Sequence, residues 1–432
     1  MTNRDATDLL RAAFSSGLHA VMPAGFMADV TAEIMSDNSG KKRHILSIGK
    51  AAGAMAQGYF AHGGTALSTL VILPDNVDID AGSLPDNCQI IASAHPVPND
   101  ASETAAKAAL SLSNTLGADD LLIVLLSGGG SSLMSLGGGA VSLADKQALN
   151  EILLASGISI QEMNVIRKHV SAIKGGRLAL AASPAKVMCF ALSDVPGDAP
   201  DAIASGPVSG DDSTVTQAID IIEKHKLSLP SAIMTLLQNP ASESPFPDDE
   251  RLAQNDYQII ASAKHALEAS AKIVRKAGYQ PVILGDRFQE DTKMLADIMV
   301  EKLATLPMGT ALISGGEASV KIEGRTDDLG IGGRNAQFAL EMARRNLPDI
   351  CGISCDTDGI DGAGKHAGAL FYHGLIEDAG AQGIDIDTYY RRYDSHSFFE
   401  AMGCHIHTGP TQTNVNDLRI LLKGPPQAAI KA

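Results

Sequence analysis

Basic residues are in short supply. Lys and Arg number 34 against 50 Asp and Glu, a formal net charge of -16. A phosphate backbone needs a basic face, so a nucleic-acid partner is excluded, while small anions that need only a few local cations are not. Long apolar runs are also missing: no stretch approaches the ~20 residues that span a bilayer, so no membrane partner is expected. Residues 1–10 are polar and charged, without the apolar centre of a signal peptide. The five cysteines include no CxxC pair. They read as reduced thiols, and a cytoplasmic protein is expected. Tryptophan is absent, as are low-complexity tracts and short-period repeats. No GxxxxGK[ST] occurs anywhere, and no glycine pattern after a strand fits GxGxxG. A P-loop and a dinucleotide fingerprint are thereby excluded.

What remains is a chain of 432 residues, 45% apolar and rich in glycine. That length is too great for one ordinary core and favours two domains. Strands are expected over 44–48, 70–73, 89–92, 121–126 and 187–192, alternating with helices over 49–60, 101–116, 144–155 and 161–182. The helix over 101–116 is expected to be capped by Asp100 or Ser102. Residues 121–126 are continuously apolar, as in a strand buried on both faces. Strand–helix alternation implies a parallel sheet with helices on both sides. The polar, proline-rich stretch 239–250 is the linker candidate. Beyond it come strands over 257–261, 281–284, 310–314, 350–354 and 417–422. Helices are expected over 264–277, 291–306, 334–345 and 389–403. The fold class is therefore α/β with two domains, over 1–240 and 251–432.

Three features carry chemistry. Ser127-Gly128-Gly129-Gly130-Ser131-Ser132 follows a buried strand. Ligands of open α/β sheets bind beyond the carboxyl ends of strands, and glycines free backbone N–H groups to face an anion. Lys50 follows Gly49 at a similar strand end, and Arg334 opens a helix after Gly330-Ile331-Gly332-Gly333. A guanidinium there can clamp a carboxylate or phosphate. The third feature is Asp356-Thr357-Asp358-Gly359-Ile360-Asp361. Carboxylates this dense repel one another. They suit a Mg²⁺ site built from one or two acids plus substrate phosphates, or else a plain Asp/Gly turn. Asp194 and Asp198 follow another strand. His405-Ile406-His407 can face a metal or serve structure only.

Several runs together resemble glycerate 2-kinases of the MOFRL type, a family whose members are often labelled hydroxypyruvate reductases. They are Ser127–Ser131, Arg167-Lys-His-Val-Ser-Ala-Ile-Lys-Gly-Gly-Arg177, Ser193-Asp-Val-Pro-Gly-Asp198, Ser314-Gly-Gly-Glu317, Gly332-Gly-Arg-Asn335, Thr357-Asp-Gly-Ile-Asp-Gly362 and Thr408-Gly-Pro-Thr-Gln-Thr-Asn-Val-Asn-Asp417. The resemblance spans nearly the whole chain. It implies a Rossmann-like first domain, a MOFRL-type second domain and a site in the cleft between them. It also implies ATP-dependent phosphorylation of D-glycerate to 2-phosphoglycerate with Mg²⁺. Catalytic roles are implied for Lys50, Asp194 and Arg334. Substrate or phosphate contacts are implied for Ser127, Gly128, Gly129, Gly130, Ser131, Ser314, Gly315, Gly316, Glu317, Asn335, Thr411, Asn414 and Asn416, and metal contacts for Asp358 and Asp361. The chain departs from the family at Ala94, Asn99, Gln412 and Ala363-Gly364-Lys365-His366. A nicotinamide-dependent reductase and a non-catalytic anion or nucleotide sensor stay open as rivals, and a homo-oligomer is left open as well.

Overall fold

The computed structural model describes residues 3–37, 40–324 and 328–426. It divides into two units, one of residues 26–260 and one of residues 1–25 with 261–432.

In the first unit, six strands form one sheet: β1 (Lys42–Ile48), β2 (Ser68–Pro74), β3 (Cys88–Ser93), β4 (Asp120–Leu126), β5 (Lys186–Leu192) and β6 (Asp256–Ala261). Their order is β3-β2-β1-β4-β5-β6, and the pairings from β3 through β5 are all parallel. This is the order of doubly wound nucleotide-binding sheets, in which the strand order reverses between β1 and β4. Every residue of Leu121–Leu126 is fully buried, because both faces of β4 are covered. On one face Leu122, Val124 and Leu126 pack with Ala105, Ala106 and Ala109 of the helix Asp100–Asn114. The helix Ala52–Ala61 also packs against β4, and its Ala52 and Ala56 meet Val71 and Leu73 of β2. A separate apolar cluster joins the helices Leu143–Ala155, Ile160–His169, Val215–Lys224 and Ser231–Leu237.

The second unit holds a mixed six-stranded sheet of β7 (Gln280–Ile283), β8 (Thr310–Ser314), β9 (Ile350–Asp356), β10 (Gly368–Tyr372), β11 (His405–Ile406) and β12 (Asp417–Lys423). Its order is β11-β10-β9-β12-β8-β7, with only the β7–β8 pairing parallel. The helix Asn3–Val21 buries Leu10, Phe14, Leu18 and Val21. It packs along the helix Ala263–Lys276 of this unit.

Four expectations are corrected. The stretch 239–250 does not divide the units, because it is tied into the first one. Arg177 Nη2 donates to Ser242 O at 2.6 Å, Asp211 N donates to Pro245 O at 2.9 Å, and Ser242 and Ser244 are buried. The division falls after residue 260, where β6 has completed the first sheet, and the first 25 residues belong with the second unit. The expected helix over 161–182 breaks into Ile160–His169 and Arg177–Ala182, since Gly175 and Gly176 adopt positive φ between them. The cap of Asp100–Asn114 is Asn99, in a reciprocal box with Ser102. The helical stretch 389–403 is two short helices, Ile386–Arg391 and Ser395–Ala401.

Candidate active site

The carboxyl ends of β1 and β4 meet where the strand order reverses, and Lys50, Ser127, Gly128, Gly129 and Asp194 come together there. Ser127 N donates to Ile48 O at 2.8 Å, and Lys50 N donates to Gly128 O at 2.9 Å. Ser127 Oγ accepts from Ala51 N at 3.0 Å. These bonds lock the β1 and β4 loops side by side and leave Lys50 half-buried beside the glycine run. Gly129 has φ +84, and a Cβ there would lie 3.5 Å from Lys50 Cγ and 2.9 Å from His95 Cδ2. Asp194, at the end of β5, stands so close that a Cβ on Gly128 would fall 2.1 Å from its Oδ2. Glycine is thus required for the loop to pass under the lysine and the carboxylate. A cation, a carboxylate and a glycine turn thus meet at one sheet edge.

Beside this turn lies a cavity of about 180 Å³ whose walls include Ser131, Lys146, Asn150, Arg167 and Lys174. Lys146 and Lys174 are only 5% and 4% exposed. Burial drives both ammonium groups below their ordinary range, Lys146 to about 8, and the neighbouring cations add to the effect. Lys174 Nζ donates to Ser131 O at 2.7 Å and to Ser131 Oγ. Arg167 Nε donates to Asn150 Oδ1 at 3.1 Å. None of Lys146, Arg167 and Lys174 is among the site residues expected from the sequence. Their signal was present: Lys146, Leu149 and Leu153 recur at the spacing of a buried helix face, and Arg167 and Lys174 sit in the quoted run Arg167–Arg177. The rest of that run is structural. Lys168 pairs with buried Asp211 at 2.6 Å, and His169 Nδ1 lies 3.1 Å from Ser242 O.

In the second unit the acids cluster around Arg334. Register places Asp417 of β12 opposite Asp356 of β9, a like-charge pair that needs a cation. Arg334 supplies it, with Nε 2.7 Å from Asp417, Nη2 2.6 Å from Asp356 and Nη1 3.1 Å from Glu317. Burial opposes the charge of Arg334, but these three carboxylates outweigh it and hold the guanidinium protonated. Buried Arg419 also pairs with Asp417 and donates to Gly315 O at 2.8 Å. The guanidinium of Arg334, expected to clamp a substrate, is therefore spent on protein acids. It borders a cavity of about 410 Å³ walled by Val320, Ile322, Gly332, Gly333 and Tyr393.

The expected metal pair separates. Both oxygens of Asp361 accept backbone N–H groups at the start of the helix Arg334–Arg345, from Asn335 at 2.9 Å and Ala336 at 2.8 Å. Burial pushes its carboxyl up to about 7 against the pull of those amides. Asp361 is a helix cap and does not fit a metal. Asp358 does fit as a single carboxylate ligand: it is partly exposed, and among the described residues only its Oδ1 accepts a hydrogen bond, from Ile360 N at 2.9 Å. Among the described residues no group of three or more His, Cys, Asp or Glu is arranged to hold a metal ion.

Other expected contacts are internal. Asn335 is fully buried between Asp417 and Ser354. Thr411 Oγ1 donates to Thr357 O at 2.6 Å, and Asn414 Oδ1 accepts from Asn416 N at 2.9 Å. Thr357 Oγ1 in turn donates to Asn416 O at 2.7 Å. Ser314 is buried, Gly315 N donates to Gly285 O, and Gly316 takes φ +108 to bring Glu317 towards Arg334. His366, His396, His405 and His407 gather with ring centres 4.6–6.1 Å from that of His366.

Comparison with known proteins bears on this arrangement. Residues 9–238 match the domain of unknown function DUF4147, and residues 310–417 match the MOFRL family. The chain is 40% identical over 390 residues to an Agrobacterium vitis protein provisionally named a hydroxypyruvate reductase, covering 88% of this chain and 99% of that one. It is 34% identical over 385 residues to the D-glycerate 2-kinase of Thermotoga maritima, covering 87% and 89%. The crystal structure of a Thermotoga maritima glycerate kinase matches with a TM-score of 0.86 at 31% identity, over 97% of this chain and all of that one. With both domains matched in order, the chain belongs to the DUF4147–MOFRL family that includes the glycerate kinases.

Proposed function

We propose that the protein transfers the terminal phosphoryl group of ATP to the 2-hydroxyl of D-glycerate. The observation that carries this reading is the meeting of Lys50, the Ser127–Ser131 turn and Asp194 at the reversal point of the first sheet. Phosphoryl transfer asks a protein to position two reactants, neutralise spreading negative charge and accept one proton. Lys50 and the glycine turn meet the charge requirement. In this reading Asp194, close beside the turn, takes the proton from the C2 hydroxyl. Arg334 acts by holding Asp356, Asp417 and Glu317 in one arrangement. Asp358 is the residue that would hold Mg²⁺, which when bound supplies charge screening on the nucleotide phosphates. The cavity of about 410 Å³ beside Arg334 lies within the ~300–1,000 Å³ of small-molecule sites.

The β1 turn reads Ile48-Gly49-Lys50-Ala51-Ala52-Gly53 and lacks the glycine fingerprint of a nicotinamide pyrophosphate site. A reductase reading is correspondingly weaker. The test is an assay with ATP, Mg²⁺ and D-glycerate coupled through enolase, with no mutase present. Signal is expected directly. Signal only after phosphoglycerate mutase is added would move the phosphate to the 3-position. NADH oxidation by hydroxypyruvate without ATP would overturn the kinase reading.

A further inference from the structure

The cavity beside the glycine turn has an unusual charge balance. Lys146, Arg167 and Lys174 all border it, and among the described residues no Asp or Glu is named in its lining. Among the described residues none of the three makes an ion pair. Their protein partners are neutral: Asn150 Oδ1 for Arg167, and Ser131 for Lys174. Lys146 reaches only Leu136 O, at 3.5 Å. Burying cations without acids is costly, and proteins retain such groups where an anion is to be bound. Lys168, one residue from Arg167, shows the contrast, since its buried charge is matched by Asp211 at 2.6 Å.

Size and surroundings narrow the anion. At about 180 Å³ the cavity is below the ~300–1,000 Å³ of drug-sized ligands. It holds a few carbon atoms, not a nucleotide. Nucleotide phosphates travel with Mg²⁺, which takes carboxylate ligands, and the lining offers none. Leu149 and Val170 form part of the wall, against which a short carbon chain can rest. His95 and Gly129, beside Lys50, form another part of the lining.

We propose that Lys146, Arg167 and Lys174 bind the carboxylate of the acceptor, a three-carbon hydroxy acid, so that its hydroxyl end reaches Gly129 beside Lys50. This inference rests on the acceptor named in the functional reading. It places a specificity pocket on the run Arg167–Lys174 and on one buried helical lysine. Arg167 serves as the fork and is oriented by Asn150. Lys174 draws the Ser131 end of the glycine turn against the pocket, so that the carboxylate site and the turn are set by one side chain. A neutral polyol of the same length lacks the group these cations need and is rejected.

Two measurements test this. Steady-state constants are compared for Lys146→Met and Arg167→Gln. The KM for D-glycerate is expected to rise by roughly 10-fold or more, as for loss of a charge-assisted hydrogen bond, with the KM for ATP changed by less than about twofold. A rise in the ATP constant instead would assign the pocket to nucleotide phosphate, and two unmoved constants would make it structural. Either result overturns the proposal. Should the variants fail to fold, reductive methylation of Lys146 in the unaltered protein decides, read by peptide mass spectrometry with a non-hydrolysable ATP analogue and Mg²⁺ present. D-glycerate is expected to protect Lys146 and glycerol is not. Equal labelling with both sinks the idea. If the unaltered protein does not phosphorylate D-glycerate, the functional reading falls by itself, while the protection experiment still reports whether the pocket holds a carboxylate.

Discussion

At the scale of single residues, charge without a partner separates binding from architecture. Arg334 looked like the stronger ligand group in the sequence, because an arginine opening a helix opposes the helix dipole. Its three carboxylate contacts show where that mismatch is resolved. Lys50 carries no such set of contacts, so its removal should act on the reaction rather than on the fold. Lys50→Ala is expected to lower kcat/KM by roughly 10²-fold, with the urea midpoint unchanged. A near-normal kcat/KM would remove Lys50 from the mechanism. Lys146 should show the reverse balance. Burial lowers its ammonium from 10.5 to about 8, so between those values the unfolded chain binds a proton that the folded chain does not. Stability therefore rises with pH through that window, and below it the buried charge costs roughly 3 kcal/mol. Lys146→Met keeps the apolar stem and loses the charge. It is expected to be more stable than the parent at pH 7, with the difference closing by about pH 10.5. Urea unfolding at pH 7 and pH 10 measures this. A destabilised variant at pH 7 would show that the charge is compensated within the protein.

At the scale of elements, most strands could be read because their apolar runs are short and bounded by glycine. β4 is the clearest case, with Leu121–Leu126 buried throughout. What could not be read was long-range. Nothing local to Asp361 says that its carboxylate caps a helix beginning 27 residues earlier in the chain, at Arg334. Nothing local to Asp356 says that antiparallel register sets Asp417 opposite it. The pocket cations were hidden for the same reason, since the helix bearing Lys146 and the run bearing Lys174 meet only through tertiary packing. The turn after β1 was legible, and its geometry gives a sharp test. Gly49 has φ +119, and a Cβ there would fall 2.5 Å from the Ser127 carbonyl oxygen. Backbone cannot swing aside as a side chain can. Gly49→Ala is expected to separate the β1 and β4 turns and displace Lys50, costing at least ~1–3 kcal/mol together with most of the activity. Gly128→Ala meets only the Asp194 carboxylate at comparable range, so it should cost less stability. Equal losses of stability in the two variants would mean that the turns are not locked through backbone contact.

At the scale of the whole molecule, the chain order and the spatial order disagree. The first 25 residues belong with residues 261–432, and residues 26–260 are inserted between them. A sequence reader looking for a linker sees the prolines of 239–250, yet Arg177 and Asp211 hold that stretch in the first unit. The division into compact units follows β6 directly, with no change of composition to announce it. Because each unit has its own sheet and its own buried side chains, damage to the N-terminal helix should be felt far along the sequence. Leu10 is fully buried in Asn3–Val21, a helix that also packs against β9 and β12. Leu10→Ala is expected to cost about 2–5 kcal/mol, and amide exchange should locate the loss. Amides of β9 and β12, which carry Asp356 and Asp417, should exchange faster, while those of β1 and β4 beside Lys50 keep their protection. Equal loss of protection in β1 and β4 would mean that the two cores unfold as one.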